Sequence, residues 1–164
     1  MLCISVEEFL FWKKKQLSKG GDQPSFDFLL DCIGGISSSD LNLKSLNPNE
    51  DIHLKKNLEF LGSVWDDHLL KSCPIQYLCG ITFWRDLKLK VTNKVLIPRP
   101  ETELIVDIVF NIFRRKSEKL FFAELGTGSG AISIALALAY PFSEGVATDI
   151  AVSYTHLTLP TMMS

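Results

Sequence analysis

Hydrophobic residues recur at helical spacing through residues 1–73 of the 164-residue chain. Apolar positions separated by three and four residues lie on one face of a helix, so each such run predicts an amphipathic helix. Turn-favouring Gly, Ser, Asn and Pro residues separate the runs. The four predicted helices begin near Ser5, Pro24, Ser39 and Leu54. We expect a small helical bundle over residues 1–73, with Trp65 of the last helix in its core or at a domain interface.

The pattern changes after residue 73. Residues 87–91 (LKLKV) alternate between apolar side chains and lysines, which is typical of a half-buried strand. Residues 81–84 (ITFW) supply a hairpin partner, with Arg85 and Asp86 at the turn. Prolines at positions 98 and 100 then disfavour helix. The pattern predicts a β-hairpin and linker over residues 74–98.

Residues 99–150 show the order expected at the beginning of a parallel βαβ unit. An amphipathic helix is predicted from residue 101 to about 115, followed by a buried strand, a glycine-rich turn, an apolar helix and a second strand. Those four segments span residues 120–125, 126–130, 131–139 and 145–149. The expected fold class is α/β: a small N-terminal helical bundle, a β-hairpin linker and the start of an incomplete Rossmann-like domain.

The segment 124–130 (ELGTGSG) has the composition of a ligand-binding turn. Glycines permit backbone angles that a side chain would block, and they let a ligand approach the main chain. The following helix directs free N–H groups and the positive end of its dipole to the same place. Asp149 lies 19 residues beyond Gly130, where a carboxylate can accept hydrogen bonds from both hydroxyls of a ribose. These features predict a nucleotide or nucleoside site, although the spacing also fits a dinucleotide-binding turn or a turn without ligand.

The segment upstream of the glycine turn resembles one particular family. Residues 74–78 (PIQYL), Gly80, Phe83 and residues 95–103 (VLIPRPETE), together with the glycine turn, resemble the glutamine-N5 methyltransferases that modify peptide-chain release factors. The resemblance is strong over residues 74–150 and weaker over the helical front. It implies a class I methyltransferase domain over residues 99–150, S-adenosylmethionine as the cofactor, and a helical domain that docks the release factor. The residues implied to contact or line the cofactor site are Arg99, Glu124, Gly126, Thr127, Gly128, Ser129, Gly130 and Asp149.

The chain departs from the family in its last part. The family's catalytic signature, Asn-Pro-Pro-Tyr, does not occur in the 164 residues, so no catalytic residue is assigned. Residues 152–161 (VSYTHLTLPT) resemble the translation of a transposon-derived sequencing adaptor, so we expect residues 151–164 to be a non-native tail. The chain is then a fragment that stops after the second strand of the methyltransferase domain. We expect exposed apolar sheet edges, weak cofactor binding and no methyltransferase activity.

Composition narrows the alternatives. A formal charge of −2 gives no electrostatic case for nucleic-acid binding, and no apolar run is long enough to span a membrane. The scattered cysteines and histidines show no metal-ligand spacing. We expect a cytoplasmic protein that is monomeric when intact. The alternatives are a non-catalytic protein-binding helical module, a related amine or amide methyltransferase acting on nucleic acid, and a nicotinamide-dependent dehydrogenase fragment that would leave residues 97–103 unexplained.

Overall fold

The computed structural model describes residues 2–47, 50–115 and 117–150. These residues form two compact units, one ending at Cys79 and the other beginning at Gly80. The tail predicted over residues 151–164 lies outside the described residues. The roles assigned from the sequence to residues 1–73, 74–98 and 99–150 stay predictions. No helix in the described ranges is long and apolar enough to cross a membrane.

The first unit combines helices with a small antiparallel sheet. Strands β1 (Leu2–Ser5) and β2 (Asp51–Leu54) pair with each other. The helices of the described part of this unit are α1 (Val6–Leu17), α2 (Gln23–Leu29), α3 (Ser38–Ser45), α4 (Leu58–Lys71) and α5 (Ile75–Cys79). A π-helical turn over Leu30–Gly34 continues α2 and ends at Gly35, which adopts a left-handed conformation.

Side-chain caps explain where four of these helices begin. In each case a side-chain oxygen outside the helix accepts a hydrogen bond from a backbone N–H of the first turn, which has no partner within the helix. The capping residues are Ser5 for α1, Asp22 for α2, Ser37 for α3 and Asn57 for α4. The first three agree with the predicted helix starts, whereas the fourth lies three residues beyond the predicted start at Leu54.

The prediction that residues 1–73 are helical throughout is wrong at two places. Leu54, assigned from its spacing to the fourth helix, lies instead at the end of β2. Ile52 and Leu54 are fully buried, whereas the intervening His53 is exposed, which is the period of a strand. The partner of β2 is β1, which also comprises only four residues, and the paired residues Cys3 and His53 are 50 positions apart in the chain.

The core of the first unit is aromatic and aliphatic. Trp65 is fully buried, as predicted, and its ring packs edge-on against Phe26 at a centroid distance of 4.8 Å. Its indole Nε1 donates a 3.2 Å hydrogen bond to the Gln16 carbonyl oxygen, which joins α4 to the last turn of α1. Offset and edge-on ring contacts of this kind stabilise a core beyond simple area burial.

The second unit follows the predicted order of elements. Strands β3 (Ile81–Trp84) and β4 (Leu87–Lys90) form the antiparallel hairpin, with Arg85 and Asp86 at its turn. A 3₁₀ turn over Pro100–Thr102 leads into α6 (Glu103–Ile112). Strand β5 (Phe121–Leu125), helix α7 (Ala131–Ala139) and strand β6 (Glu144–Thr148) complete the described part. Because β5 and β6 are parallel and α7 connects them, the predicted βαβ arrangement is confirmed.

The two-stranded parallel sheet is covered unevenly. Alternate positions of β5 and β6, such as Phe122 and Ala147, are buried or half-buried, and Phe122 packs in the core with residues of α7. The positions between them remain exposed: Phe121 at 72%, Leu125 at 84% and Val146 at 62%. Apolar side chains of these two strands are therefore exposed on one face of the sheet.

Candidate functional site

The glycine turn between β5 and α7 is tied to the end of the neighbouring strand. The backbone N–H groups of Gly126 and Thr127 both donate to the carbonyl oxygen of Thr148, at 2.7 and 3.0 Å. Within the turn, the N–H of Gly130 donates to the Thr127 carbonyl oxygen at 2.9 Å. Since the two strands are parallel, their carboxyl ends meet at one edge of the sheet, and the turn is fixed at that edge.

Gly126 and Gly128 need the absence of a side chain. Their φ angles are 75° and 55°, in the left-handed region that L-residues with a side chain rarely adopt. At both positions the space that a Cβ atom would occupy has no other heavy atom within 4 Å. The turn therefore presents bare main chain to open space, which is the property that allows close approach of a ligand.

Asp149 lies beside this turn, as the sequence spacing predicts. Its carboxylate Oδ2 accepts a 2.7 Å hydrogen bond from the backbone N–H of Gly128. The bond bridges 21 residues of sequence and joins the residue after β6 to the centre of the glycine turn. A carboxylate and a glycine-rich backbone are thus brought together at one place.

A shallow cleft of about 190 Å³ opens next to the turn. It is lined by Leu96, Pro98, Arg99, Thr102, Glu124, Gly126, Thr127, Gly128, Ser129, Ala131 and Ile132. Six of the eight predicted site residues line this cleft. The other two are adjacent to it: Gly130 precedes the first residue of α7, and Asp149 binds Gly128.

The proline-containing segment reaches the cleft because the hairpin anchors it. The indole Nε1 of Trp84, a buried residue of β3, donates a 3.0 Å hydrogen bond to the Arg99 carbonyl oxygen. Arg85 at the hairpin turn binds the other end of the segment, with its Nη1 3.3 Å from the Glu103 carbonyl oxygen and 2.8 Å from Asp107 Oδ1. Arg99 and Thr102 line the cleft, while Glu101 and Glu103 are not among its lining residues.

Comparison with curated proteins identifies sequences to which this chain is similar. A protein from Prochlorococcus marinus named release factor glutamine methyltransferase is 43% identical over 89% of the chain and 50% of its own length. Proteins of the same name from Synechocystis and Coxiella burnetii are each 36% identical, over 84% and 89% of the chain and 48% and 51% of their own lengths. The chain is homologous to the release factor glutamine methyltransferases. It spans about half the length of the curated relatives it matches. No protein-family model matches the chain.

The resemblance to glutamine methyltransferases inferred from residues 74–130 is thereby confirmed. The relatives are named for methyltransferases, and the dehydrogenase alternative gains no support from them. The individual roles of the eight predicted residues are not tested by these matches and stay predictions.

Sequence reasoning missed one component of the site, a buried serine in α7. The Glu124 carboxylate Oε2 accepts hydrogen bonds from Thr127 Oγ1 at 2.8 Å, from the Ser133 backbone N–H at 3.1 Å and from the Ser133 hydroxyl. Ser133 is fully buried and Thr127 nearly so. The signal in the sequence was present but slight, because Ser133 is the one polar residue of the otherwise apolar stretch 131–139 (AISIALALA).

The described residues around the glycine turn combine open main chain with polar side chains. No group of three or more His, Cys, Asp or Glu side chains in the described part of the chain could hold a metal. The open space above Gly126 and Gly128, the adjoining carboxylate of Asp149 and the cationic Arg99 instead form a cradle of main chain with polar groups at its edge. S-adenosylmethionine, which carries a ribose and charged groups, fits this donor and acceptor set.

Proposed function

We propose that the protein represented by this chain transfers a methyl group from S-adenosylmethionine to the side-chain amide nitrogen of a glutamine in peptide-chain release factors. The observation that carries the proposal is the meeting of the glycine turn, Asp149 and the Arg99 segment at one edge of a parallel strand pair. The names of the homologues supply the reaction and the substrate class. A parallel sheet with the ligand at its carboxyl edge also favours a Rossmann-like class I methyltransferase domain.

The residues proposed to hold the cofactor divide by what they offer. The turn from Gly126 to Gly130, through Thr127, Gly128 and Ser129, offers bare main chain at the beginning of α7. Asp149 would accept hydrogen bonds from the ribose hydroxyls, and Arg99 and Glu124 would line the same cleft. When bound, S-adenosylmethionine supplies an electrophilic methyl group.

The acceptor in this proposal is a neutral amide nitrogen. A weak nucleophile of this kind reacts when it is held in line with the methyl group in a site that excludes water, so positioning matters more than a strong base. The chain contributes the cofactor side of that geometry. The Asn-Pro-Pro-Tyr signature that would hold the amide is absent from the 164 residues, so we expect this chain to be inactive as a methyltransferase.

The proposed partners follow from the same homology. We infer that the intact protein is a cytoplasmic monomer that acts on release factors rather than directly on nucleic acid. The first unit has its own buried core around Trp65 and Phe26, so it can serve as a separate docking domain. Residues 1–79 rather than 1–73 are the piece to test, because Ile75 and Leu78 of α5 pack with that core.

Cofactor binding is tested by titrating the purified 164-residue chain with S-adenosylmethionine in a calorimeter. We expect a dissociation constant weaker than micromolar, and submicromolar binding would contradict the expectation of a half-formed site. A thermal-shift comparison separates the ligand classes. Stabilisation by S-adenosylhomocysteine and not by NAD supports the proposal. Stabilisation by NAD and not by S-adenosylhomocysteine would favour the dehydrogenase hypothesis instead.

The substrate half of the proposal needs its own experiments. Residues 1–79 fixed to a resin should retain a release factor, and retention only by chains that contain the second unit would count against a docking role. Sequencing the gene beyond the codon for Ile150 should reveal codons for Asn-Pro-Pro-Tyr. A protein restored in that way should methylate a release factor, detected by mass spectrometry at a glutamine, and should leave nucleic acid unmodified.

A further inference from the structure

We propose that Ser133 is a positioning residue, which holds the Glu124 carboxylate against the first turn of α7 and thereby fixes the glycine turn for its ligand. The proposal rests on the proposed function, because it assigns a role within the same cofactor site. It also gives Glu124 a different part from that implied by resemblance: Glu124 acts through the shape of the turn and not by direct contact with the cofactor.

The first argument is the convergence of donors on a single oxygen. The Ser133 hydroxyl, the Ser133 backbone N–H and the Thr127 hydroxyl all donate to Oε2 of Glu124. Glu124 is in β5, Thr127 is in the turn and Ser133 is in α7, so one carboxylate oxygen joins the three successive segments. Hydrogen bonds to an ionised acceptor are shorter and stronger than neutral ones, which suits this oxygen to a structural junction.

The second argument is that α7 lacks a cap of its own. The residue before the helix is Gly130, which has no side chain and makes no capping hydrogen bond. The backbone N–H of Ser133, the third residue of the helix, would ordinarily be satisfied by a capping side chain at that position. Glu124, which lies in the preceding strand, accepts the hydrogen bond from this N–H instead, and its charge lies at the positive end of the helix. A glycine is thus tolerated at position 130 because the cap comes from elsewhere.

The third argument is the cost of a hydroxyl at this position. Ser133 is completely buried in a helix whose other residues are all apolar. A buried hydroxyl is unfavourable unless it is hydrogen-bonded, and alanine is the better helix former. Replacing Ser133 with alanine should therefore strengthen the helix locally while removing one donor to Glu124. Loss of function in this variant cannot be attributed to a weaker helix.

The test is an NMR titration of the full 164-residue chain with S-adenosylhomocysteine as the probe. We expect Ser133→Ala to raise the dissociation constant about tenfold, which is the usual size of one buried hydrogen bond to a charged group. Glu124→Leu should lose at least as much, and the double variant no more than Glu124→Leu alone. Glu124→Gln keeps an oxygen acceptor, so it should lose only about threefold. The matched control is Ser143→Ala beyond the other end of α7, whose hydroxyl donates to the Tyr140 carbonyl oxygen and which should bind like the unaltered chain.

A second readout needs no ligand. Amide hydrogen exchange at Gly128 and Gly130 should accelerate in Ser133→Ala and stay unchanged in Ser143→Ala, because the first variant frees the turn. If the unaltered chain binds no S-adenosylhomocysteine, the proposed assignment of this cleft as the cofactor site fails, while the exchange rates still decide the positioning role. Additive losses in the double variant would overturn the proposal, because Ser133 and Glu124 would then act independently. An equal loss in Glu124→Gln and Glu124→Leu would also overturn it, because Glu124 would then contact the ligand through its charge.

Discussion

Replacing Gly126 with alanine tests whether the bare main chain of the turn is a ligand surface. Gly126 has a φ of 75°, and no heavy atom lies within 4 Å of the place where the new Cβ would be. The substitution therefore adds backbone strain without a steric clash in the ligand-free protein. An L-residue forced into the left-handed region costs about 1–2 kcal/mol.

Gly80 is a matched control for this substitution. It has a φ of 72° and equally open space around its virtual Cβ, and it lies in the same unit but outside the cleft. Both variants should lose about 1–2 kcal/mol of unfolding free energy. For a unit of this size, that loss lowers the melting temperature by about 4–8 °C per kcal/mol.

The two variants should differ in ligand binding. The Cβ of Gly126→Ala would occupy the space through which a ligand approaches the main chain, so we expect its dissociation constant for S-adenosylhomocysteine to rise by at least about tenfold. Gly80→Ala should bind like the unaltered chain. Urea unfolding followed by circular dichroism measures the shared strain, and NMR titration measures the difference. Equal effects on binding in the two variants would refute the assignment of the turn as the ligand surface.

Three further predictions concern other parts of the chain. Asp149→Ala should weaken S-adenosylhomocysteine binding by at least about tenfold in the same titration, because it removes the acceptor of the Gly128 N–H and the proposed ribose contact. The affinity of Asp149→Asn should fall between those of the unaltered chain and Asp149→Ala. Trp65→Phe removes the hydrogen bond to the Gln16 carbonyl and part of a fully buried ring, so the urea midpoint should report a loss of about 1–3 kcal/mol. Burial, helped by the neighbouring Cys32 sulfur, raises the pKa of the Cys79 thiol from 9.0 to about 12, so iodoacetamide should modify Cys79 at pH 8 far more slowly in the folded chain than in urea. Between pH 9 and 12 the folded thiol keeps a proton that the unfolded one releases, so this group makes stability fall as pH rises through that window.

The elements that the sequence predicted well are those with local signals. Alternation of apolar and polar residues next to two turn residues predicts the hairpin of β3 and β4. The hairpin forms with Trp84 opposite Leu87, as a two-residue turn requires. The strand–turn–helix–strand order of the second unit was also predictable, because an apolar helix and two short apolar runs flank a glycine turn. In each case the residues that specify the element are close together in the chain.

Pairing between distant short segments could not be predicted in the same way. Strands β1 and β2 each comprise four residues, too few for alternation to stand out from the surrounding helical spacing. Their pairing joins Leu2 to Leu54, and nothing local to either segment identifies the other. Asn57, whose side chain caps α4, was the available sign that the helix begins after Leu54 and not at it.

Residue types at the site were predictable, whereas the direction of their contacts was not. The glycines and Asp149 stand where spacing placed them, since parallel strands bring those positions to one edge. The sequence marked Glu124 as a site residue but could not show that its Oε2 is bound by Thr127 and Ser133. Which partner a carboxylate accepts from depends on tertiary packing, and a serine within an apolar helix gives no sign of its acceptor.

The shape of the turn and the enclosure of the ligand have different origins. Every hydrogen bond described above for the turn is formed by residues between Glu124 and Asp149, so β5, α7 and β6 are sufficient to set its conformation. Enclosure is another matter, because the cleft measures about 190 Å³ whereas ligand pockets commonly measure roughly 300–1,000 Å³. A ligand seated there would meet the specific polar groups of the site while keeping much of its surface in water. We therefore expect weak but selective binding by this chain, which spans about half the length of its relatives.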